Sequence, residues 1–313
     1  MGPTSTLPVR DFTSKTLPEN SIEAIKHAID IGADGVEIDV HLTKDNKIAV
    51  IHDDSLNKKV FKADRIGQDL GRVCEHNMKD LKQYDIGNGH KIPSLVEVLD
   101  FIVKENKKRI LQEKPRIIIN IELKGRDVVD QTFSEISEYL KSGELKIEDF
   151  IFNSFDWDKL KQIRQYSPEF KVVPAIKTID LFGPENVEMP GFKVTKDAQY
   201  TEEAFSALQK LHDDINCYAF DCIVFDLRPE FVEFCEKNKI GLLTSTSKEL
   251  VKAEKVKSRL ALMMQAASKL PMVCFRADNT SETLSILKSI ANNTSKPKSN
   301  DNNATKKHNK YKK

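Results

Sequence analysis

From residue 19 to about 290 the chain alternates short apolar runs with longer stretches of helical periodicity. The runs are GVEIDV (35–40), RIIINIEL (116–123), FIFNSF (150–155), KVVPAI (171–176), CIVFDL (222–227), GLLTST (241–246) and MVCFR (272–276). Each is too short and too continuously apolar for a surface helix and reads as a strand buried on both faces. Between them, apolar positions recur every three or four residues over 19–31, 94–105, 128–141, 157–166, 202–211, 229–238, 248–267 and 281–291, which predicts helices. Strands that alternate with helices imply a parallel sheet covered on both sides. With a weak run at 7–12 there are eight strands, so the expectation is an α/β fold of the (β/α)8 TIM-barrel type whose first strand is weak or degenerate.

One run breaks the alternation. KIAVI (47–51) follows GVEIDVHL after only a few residues, too few for the crossover that parallel neighbours require, so the two must be antiparallel. A tight turn at Lys44-Asp45 would set His52 opposite Glu37, and one at Asp45-Asn46 would set it opposite Asp39. Either register returns His52 to the mouth of the 35–40 strand. Residues 53–93, rich in Asp, Lys and Gly, then form a small insertion before a helix that starts at Ser94.

Composition adds two things. The balance of 49 Lys+Arg against 48 Asp+Glu hides a basic end: residues 291–313 hold seven of the basic residues and one of the acidic ones, leaving 42 against 47 in 1–290. That Asn/Lys/Ser-rich segment has too little apolar surface to offset its ordering entropy and is expected to be a disordered tail outside a 1–290 barrel domain. An acidic body without a recognised module argues against nucleic-acid binding. The five cysteines (Cys74, Cys217, Cys222, Cys235, Cys274) form no CxxC pair and read as reduced thiols of a cytoplasmic protein. No stretch approaches 18 consecutive apolar residues and no leader pattern is visible, so no transmembrane segment is expected; peripheral lipid contact and oligomeric state stay open.

The candidate chemistry sits at strand ends. Glu37 and Asp39 are two apart on one strand and therefore project to the same side. Glu122 and Lys124 repeat that spacing at the end of RIIINIELK. In a barrel the carboxyl ends of the strands face the active site. Three carboxylates there suit Mg2+ or Ca2+ rather than zinc, and a neighbouring lysine would attract phosphate; salt-bridged barrel residues are the competing reading.

The stretch LPENSIEAIKHAIDIGADGVEIDVHLTKDNKIAVIHDDSL resembles the glycerophosphodiester phosphodiesterase family, whose pattern runs P-E-N-[ST], G-A-D-x-[IV]-E-x-D-V, a T-K-D-G turn and V-x-H-D. KIPSLVEVL, NIELK and FNSFDWDKLKQIRQYSPEFKVV continue the likeness in order, which is strong over 17–176 and weak beyond. The resemblance implies the barrel fold with an insertion after its second strand. It also implies metal ligation by Glu37, Asp39 and Glu122, catalysis by His52 and Arg10, and substrate binding by Lys124. The implied cofactor is a divalent cation, Mg2+ or Ca2+, and the implied reaction is hydrolysis of a glycerophosphodiester to glycerol 3-phosphate and an alcohol.

The chain also departs from that pattern. The family's H-R-G is replaced by Val9-Arg10-Asp11, and valine cannot move a proton. Either the first strand has decayed or the sequence starts past its true beginning. LLTSTS (242–247) stands in place of V-W-T-V-N, and MVCFRADN in place of G-I-x-T-D, with Asp278 nearest the family's aspartate. The lone Trp157 reads as packing, His41 as a solvated rim residue, and His76 and His90 as exposed loop histidines. Three functions remain: a working glycerophosphodiesterase, a catalytically impaired member that still binds metal and phosphodiester, and a phospholipase C-like or D-like lipid phosphodiesterase on the same barrel.

Overall fold

The computed structural model describes residues 17–56, 70–176, 202–223, 227–246, 254–266 and 269–277, and Ser285. The expected strand at 7–12, the helix at 281–291, the tail at 291–313 and residues Val9, Arg10 and Asp278 lie outside them. Eight strands occur among the described residues: β1 Gly35–Leu42, β2 Ile48–Val50, β3 Ile118–Leu123, β4 Phe150–Ser154, β5 Lys171–Pro174, β6 Ala219–Ile223, β7 Gly241–Thr246 and β8 Val273–Ala277. All pair in parallel except β2, which pairs antiparallel with β1. The order β2-β1-β3-β4-β5 continues into β6-β7-β8 through a parallel bridge between Ala175 and Asp221. Arg276 on β8 meets Glu37 on β1, so the series curls round on itself as the (β/α)8 barrel requires.

The helices are α1 Ile22–Asp30, α2 Met78–Leu81, α3 Leu95–Leu111, α4 Val128–Ser142, α5 Trp157–Tyr166, α6 Glu202–Ile215, α7 Pro229–Asn238 and α8 Glu254–Ala266. All but α2, a single turn inside the insertion that the sequence reading did not expect, overlap the stretches whose periodicity predicted them. Ser94 caps α3, accepting from the Glu97 N–H while the Glu97 carboxylate accepts from the Ser94 N–H. The outward faces of the strands (Val36, Ile38, Val40, Ile119, Ile121, Phe150, Phe152, Val172) and the helices share one large core. Ile151, Val173, Ala219, Leu243, Met272 and Cys274, with Ile118 and Tyr218, form a separate cluster inside the barrel.

Two strand expectations need correction. The sixth strand starts at Ala219, three residues before the expected 222, because small Ala219 and charged Asp221 on the inward face interrupt the apolar signal; residues 224–226 of the expected 222–227 run lie outside the described residues. The β1–β2 hairpin adopts neither expected register. Val40 pairs with Val50 and Leu42 with Ile48, across a five-residue turn that Thr43 closes through its hydroxyl and amide. That register aligns His52 with Ile38, one residue from both alternatives.

The turn also anchors the insertion. The Asp45 carboxylate accepts from the Thr43 hydroxyl and from the Met78 N–H at the start of α2, and the Lys44 N–H donates to the His76 carbonyl. Behind it, Ala49, Ile51, Leu56, Val73, Met78, Leu81, Ile86 and Ile92 make a satellite core of their own. Residues 57–69 of the insertion lie outside the described set.

Close packing of β1 on β3 demands glycine at position 35, where a Cβ would collide with the Ile118 carbonyl oxygen. Gly35→Ala is expected to destabilise the fold by about 1–3 kcal/mol, read as a lowered denaturant midpoint. Glu135 on α4 is buried where it accepts from the Ile48 N–H, and burial raises its carboxyl above the ordinary range. The folded state then holds the proton longer than the unfolded chain, so this group's contribution falls as pH rises from the ordinary carboxylate value through the raised one. Glu135→Gln is therefore expected to melt higher than the parent at pH 7–8, by a few degrees for ~1 kcal/mol, with the gap closing below about pH 4.

Candidate active site at the carboxyl ends of the strands

Alternation on each strand decides which side chains enter the barrel. Above the apolar floor, β1 contributes Glu37, Asp39 and His41, β3 contributes Asn120 and Glu122, and β4 contributes Asn153. Asp221 from β6 and Arg276 from β8 complete the layer, and all eight are buried. Carboxylate oxygens of Glu37, Asp39 and Glu122 lie within 4.8 Å of one another. The register explains the meeting, since Asp39 is the direct partner of Glu122 across β1 and β3.

Two cations face them. Lys124 Nζ stands 3.1 Å from Asp39 Oδ1 and 3.6 Å from Glu122 Oε1. Arg276 Nη1 stands 3.2 Å from Glu37 Oε1 and 3.4 Å from Glu122 Oε2, while its Nη2 reaches Asp221 Oδ2 at 2.9 Å. Four carboxylates against two cations leave this layer formally two charges negative. A divalent cation fits that deficit, and the hard oxygen donors fit Mg2+ or Ca2+. The Asn153 Oδ1 oxygen, buried beside Glu122 without a hydrogen-bond partner, is a further donor of the same kind.

The histidines are distributed differently from the sequence reading. His52 Nδ1 lies 2.7 Å from Asp53 Oδ1, and the His52 carbonyl accepts from His41 Nε2 at 3.2 Å, which keeps His52 at the barrel mouth. The Asp53 carboxylate engages Nδ1, so Nε2 is the ring nitrogen left for another partner. His41 is buried rather than solvated: only 4% of its surface is exposed, and burial pushes its pKa down. Gly125 permits this, since a Cβ there would come 3.0 Å from the His41 Cα. His76 bonds the Leu70 carbonyl and His90 pairs with Glu23, so both are committed to the insertion and α1. Trp157 packs at the start of α5, as expected, with its indole N–H on the Ala175 carbonyl.

Three functional neighbours escaped the sequence reading. Asn20, at φ +60° before α1, holds Asp39 with both ends of its amide: Nδ2 donates to Asp39 Oδ2 at 2.8 Å, and Oδ1 accepts the Asp39 N–H at 3.0 Å. Asparagine tolerates that left-handed backbone, and the P-E-N-S motif was the signal that could have found it. Asp221 is steadied by Asn153 Nδ2 at 2.7 Å. Arg276 gave only the sign that an arginine closes an apolar run.

A parallel barrel that gathers carboxylates, a lysine and an arginine at the carboxyl ends of its strands has its working surface where barrel enzymes have theirs. The model of the Glycerophosphoryl diester phosphodiesterase family matches residues 13–249, and the chain belongs to that family, and thereby to the hydrolases. A glycerophosphodiester phosphodiesterase of Caldanaerobacter subterraneus is 27% identical over 245 residues, covering 74% of this chain and 82% of its own. One from Bacillus altitudinis is 30% identical over 207 residues, covering 61% and 76%. Among solved structures, a glycerophosphodiester phosphodiesterase from Thermotoga maritima superposes with a TM-score of 0.60 at 23% identity, covering 91% of this chain and 99% of its own. An Oleispira antarctica phosphodiesterase, solved in complex with its product sn-glycerol-3-phosphate, does so with a TM-score of 0.63 at 18% identity over 91% and 96%. The family match begins past Val9 and Arg10.

The amide clamp on Asp39 is testable without an assay. Asn20→Ala leaves buried Asp39 atoms short of two hydrogen bonds and is expected to cost about 1–3 kcal/mol in chemical denaturation, whereas Lys104→Ala, on the exposed side of α3, should change little.

Proposed function

We propose that this chain hydrolyses glycerophosphodiesters to glycerol 3-phosphate and an alcohol, with a divalent cation, Mg2+ or Ca2+, held by Glu37, Asp39 and Glu122. The observation that carries this reading is the approach of those three buried carboxylates within 4.8 Å beside Lys124. Family membership supports the reaction class, and the product-bound Oleispira relative supports the glycerol phosphate end of the substrate.

A cation bound there would polarise a phosphoryl oxygen of the diester. Lys124, 21% exposed, has its ammonium at the edge of the carboxylates, where it would orient an anionic diester. His52, with Nδ1 engaged by Asp53, offers Nε2 for proton transfer. Arg10, outside the described residues, retains its assignment through the resemblance alone. Val9 occupies the position of the family's other proton-transfer histidine, and loss of one such group typically slows a reaction by about 10²–10⁴, which favours slow turnover. The four buried free thiols accord with a reducing compartment such as the cytoplasm, and the product with glycerophospholipid breakdown.

The test is release of glycerol 3-phosphate from glycerophosphocholine with Mg2+ or Ca2+. Release should vanish on chelation and in Glu37→Ala, and Val9→His should raise it. No release from protein that still binds the cation would replace this reading with the impaired one.

A further inference from the structure

Arg276 departs both from the sequence reading and from the family's strand pattern, and its contacts define what it does. Its guanidinium is a fork. One arm, Nη2, is tied to Asp221, which Asn153 in turn fixes from β4. The other arm, Nη1, lies between Glu37 and Glu122, at 3.2 and 3.4 Å, and so contacts two of the three carboxylates assigned to the cation. The side chain is only 10% exposed, so little water screens it from those partners.

We propose that Arg276 is a built-in counter-ion that competes with the divalent cation for Glu37 and Glu122, and that Asp221 is its parking partner when the cation enters. This rests on the assignment of the cation to the three carboxylates. The physical case is direct. A cation on Glu37 and Glu122 would stand within a few ångströms of the positive Nη1, so binding must break the two longer contacts and work against the remaining repulsion. The 2.9 Å contact to Asp221 survives that displacement, because it belongs to the other arm of the fork. The charge is permanent, since a guanidinium does not deprotonate in a protein. Arg276 thus keeps the carboxylates paired without the metal and weakens the protein's hold on it.

The experiment is titration calorimetry of the whole chain with Mn2+ and Ca2+, alongside thermal melts with and without the cation. Arg276→Met should bind at least tenfold tighter than the parent, and its melting point should fall without cation and recover more on adding it. Because that variant leaves three buried carboxylates short of a partner and could fold poorly, the charge-balanced pair Arg276→Met with Asp221→Asn is the second probe. It leaves the formal charge of the layer unchanged and should still bind more tightly. Equal or weaker binding by the folded variants overturns the proposal. Absence of cation binding by the parent and every variant would overturn the cation site as well, and binding that persists in Glu37→Gln would place the cation elsewhere. A structural role alone would lower the melting point and leave affinity unmoved.

Discussion

Glu37, Asp39 and Glu122 are buried within 4.8 Å of one another, and three like charges at that spacing stay ionised only if the surroundings answer them. At an effective dielectric of about 20, each pair repels by on the order of 3 kcal/mol before any compensation. The mouth of the barrel is arranged around that constraint. Lys124 and Arg276 supply charge, Asn20 supplies hydrogen bonds to Asp39, and Asn153 steadies Asp221 so that it holds one arm of the arginine. The layer still ends formally two charges negative, a deficit that a divalent cation would meet.

Barrel geometry brings these groups together from five separate strands. Parallel pairing puts Asp39 beside Glu122 and Glu122 beside Asn153, and the bridge at Ala175 joins β5 to β6, where the Asp221 carboxylate meets the Asn153 amide. Below them the inward positions become apolar (Ile151, Val173, Ala219, Leu243, Cys274), so the charges rest on an apolar floor. Burial there pushes the Cys274 thiol well above its usual value and keeps it inert. Proximity to the charged layer therefore does not make this cysteine reactive.

The segments that carry the family likeness have structural duties beside their chemical ones. Pro18 and Ser21 close the turn that presents Asn20, since the Ser21 hydroxyl donates to the Pro18 carbonyl while its oxygen caps α1. Thr43 and Asp45 close the hairpin and hold the insertion through Met78. One short motif thus sets the height of β2 and, through it, the position of His52, whose carbonyl is bonded by buried His41.

The sequence by itself determined the elements and half of the site. Helices α5 and α7 and strand β7 fall on the predicted residues, because their periodicity is local and a cap or proline marks the start of each of the two helices. Glu37, Asp39, Glu122 and Lys124 were legible because carboxylates at the end of an apolar strand are costly to bury unless a cation answers them. Tertiary structure decided what local pattern cannot encode. The hairpin register depended on a five-residue turn closed by Thr43, and the burial of His41 depended on Gly125, 84 residues away in the chain. Arg276 and Asp221 looked like ordinary strand residues, because only the curl of the whole strand series brings the end of β8 within reach of Glu37 on β1 and turns an arginine at a strand end into a buried partner of two carboxylates.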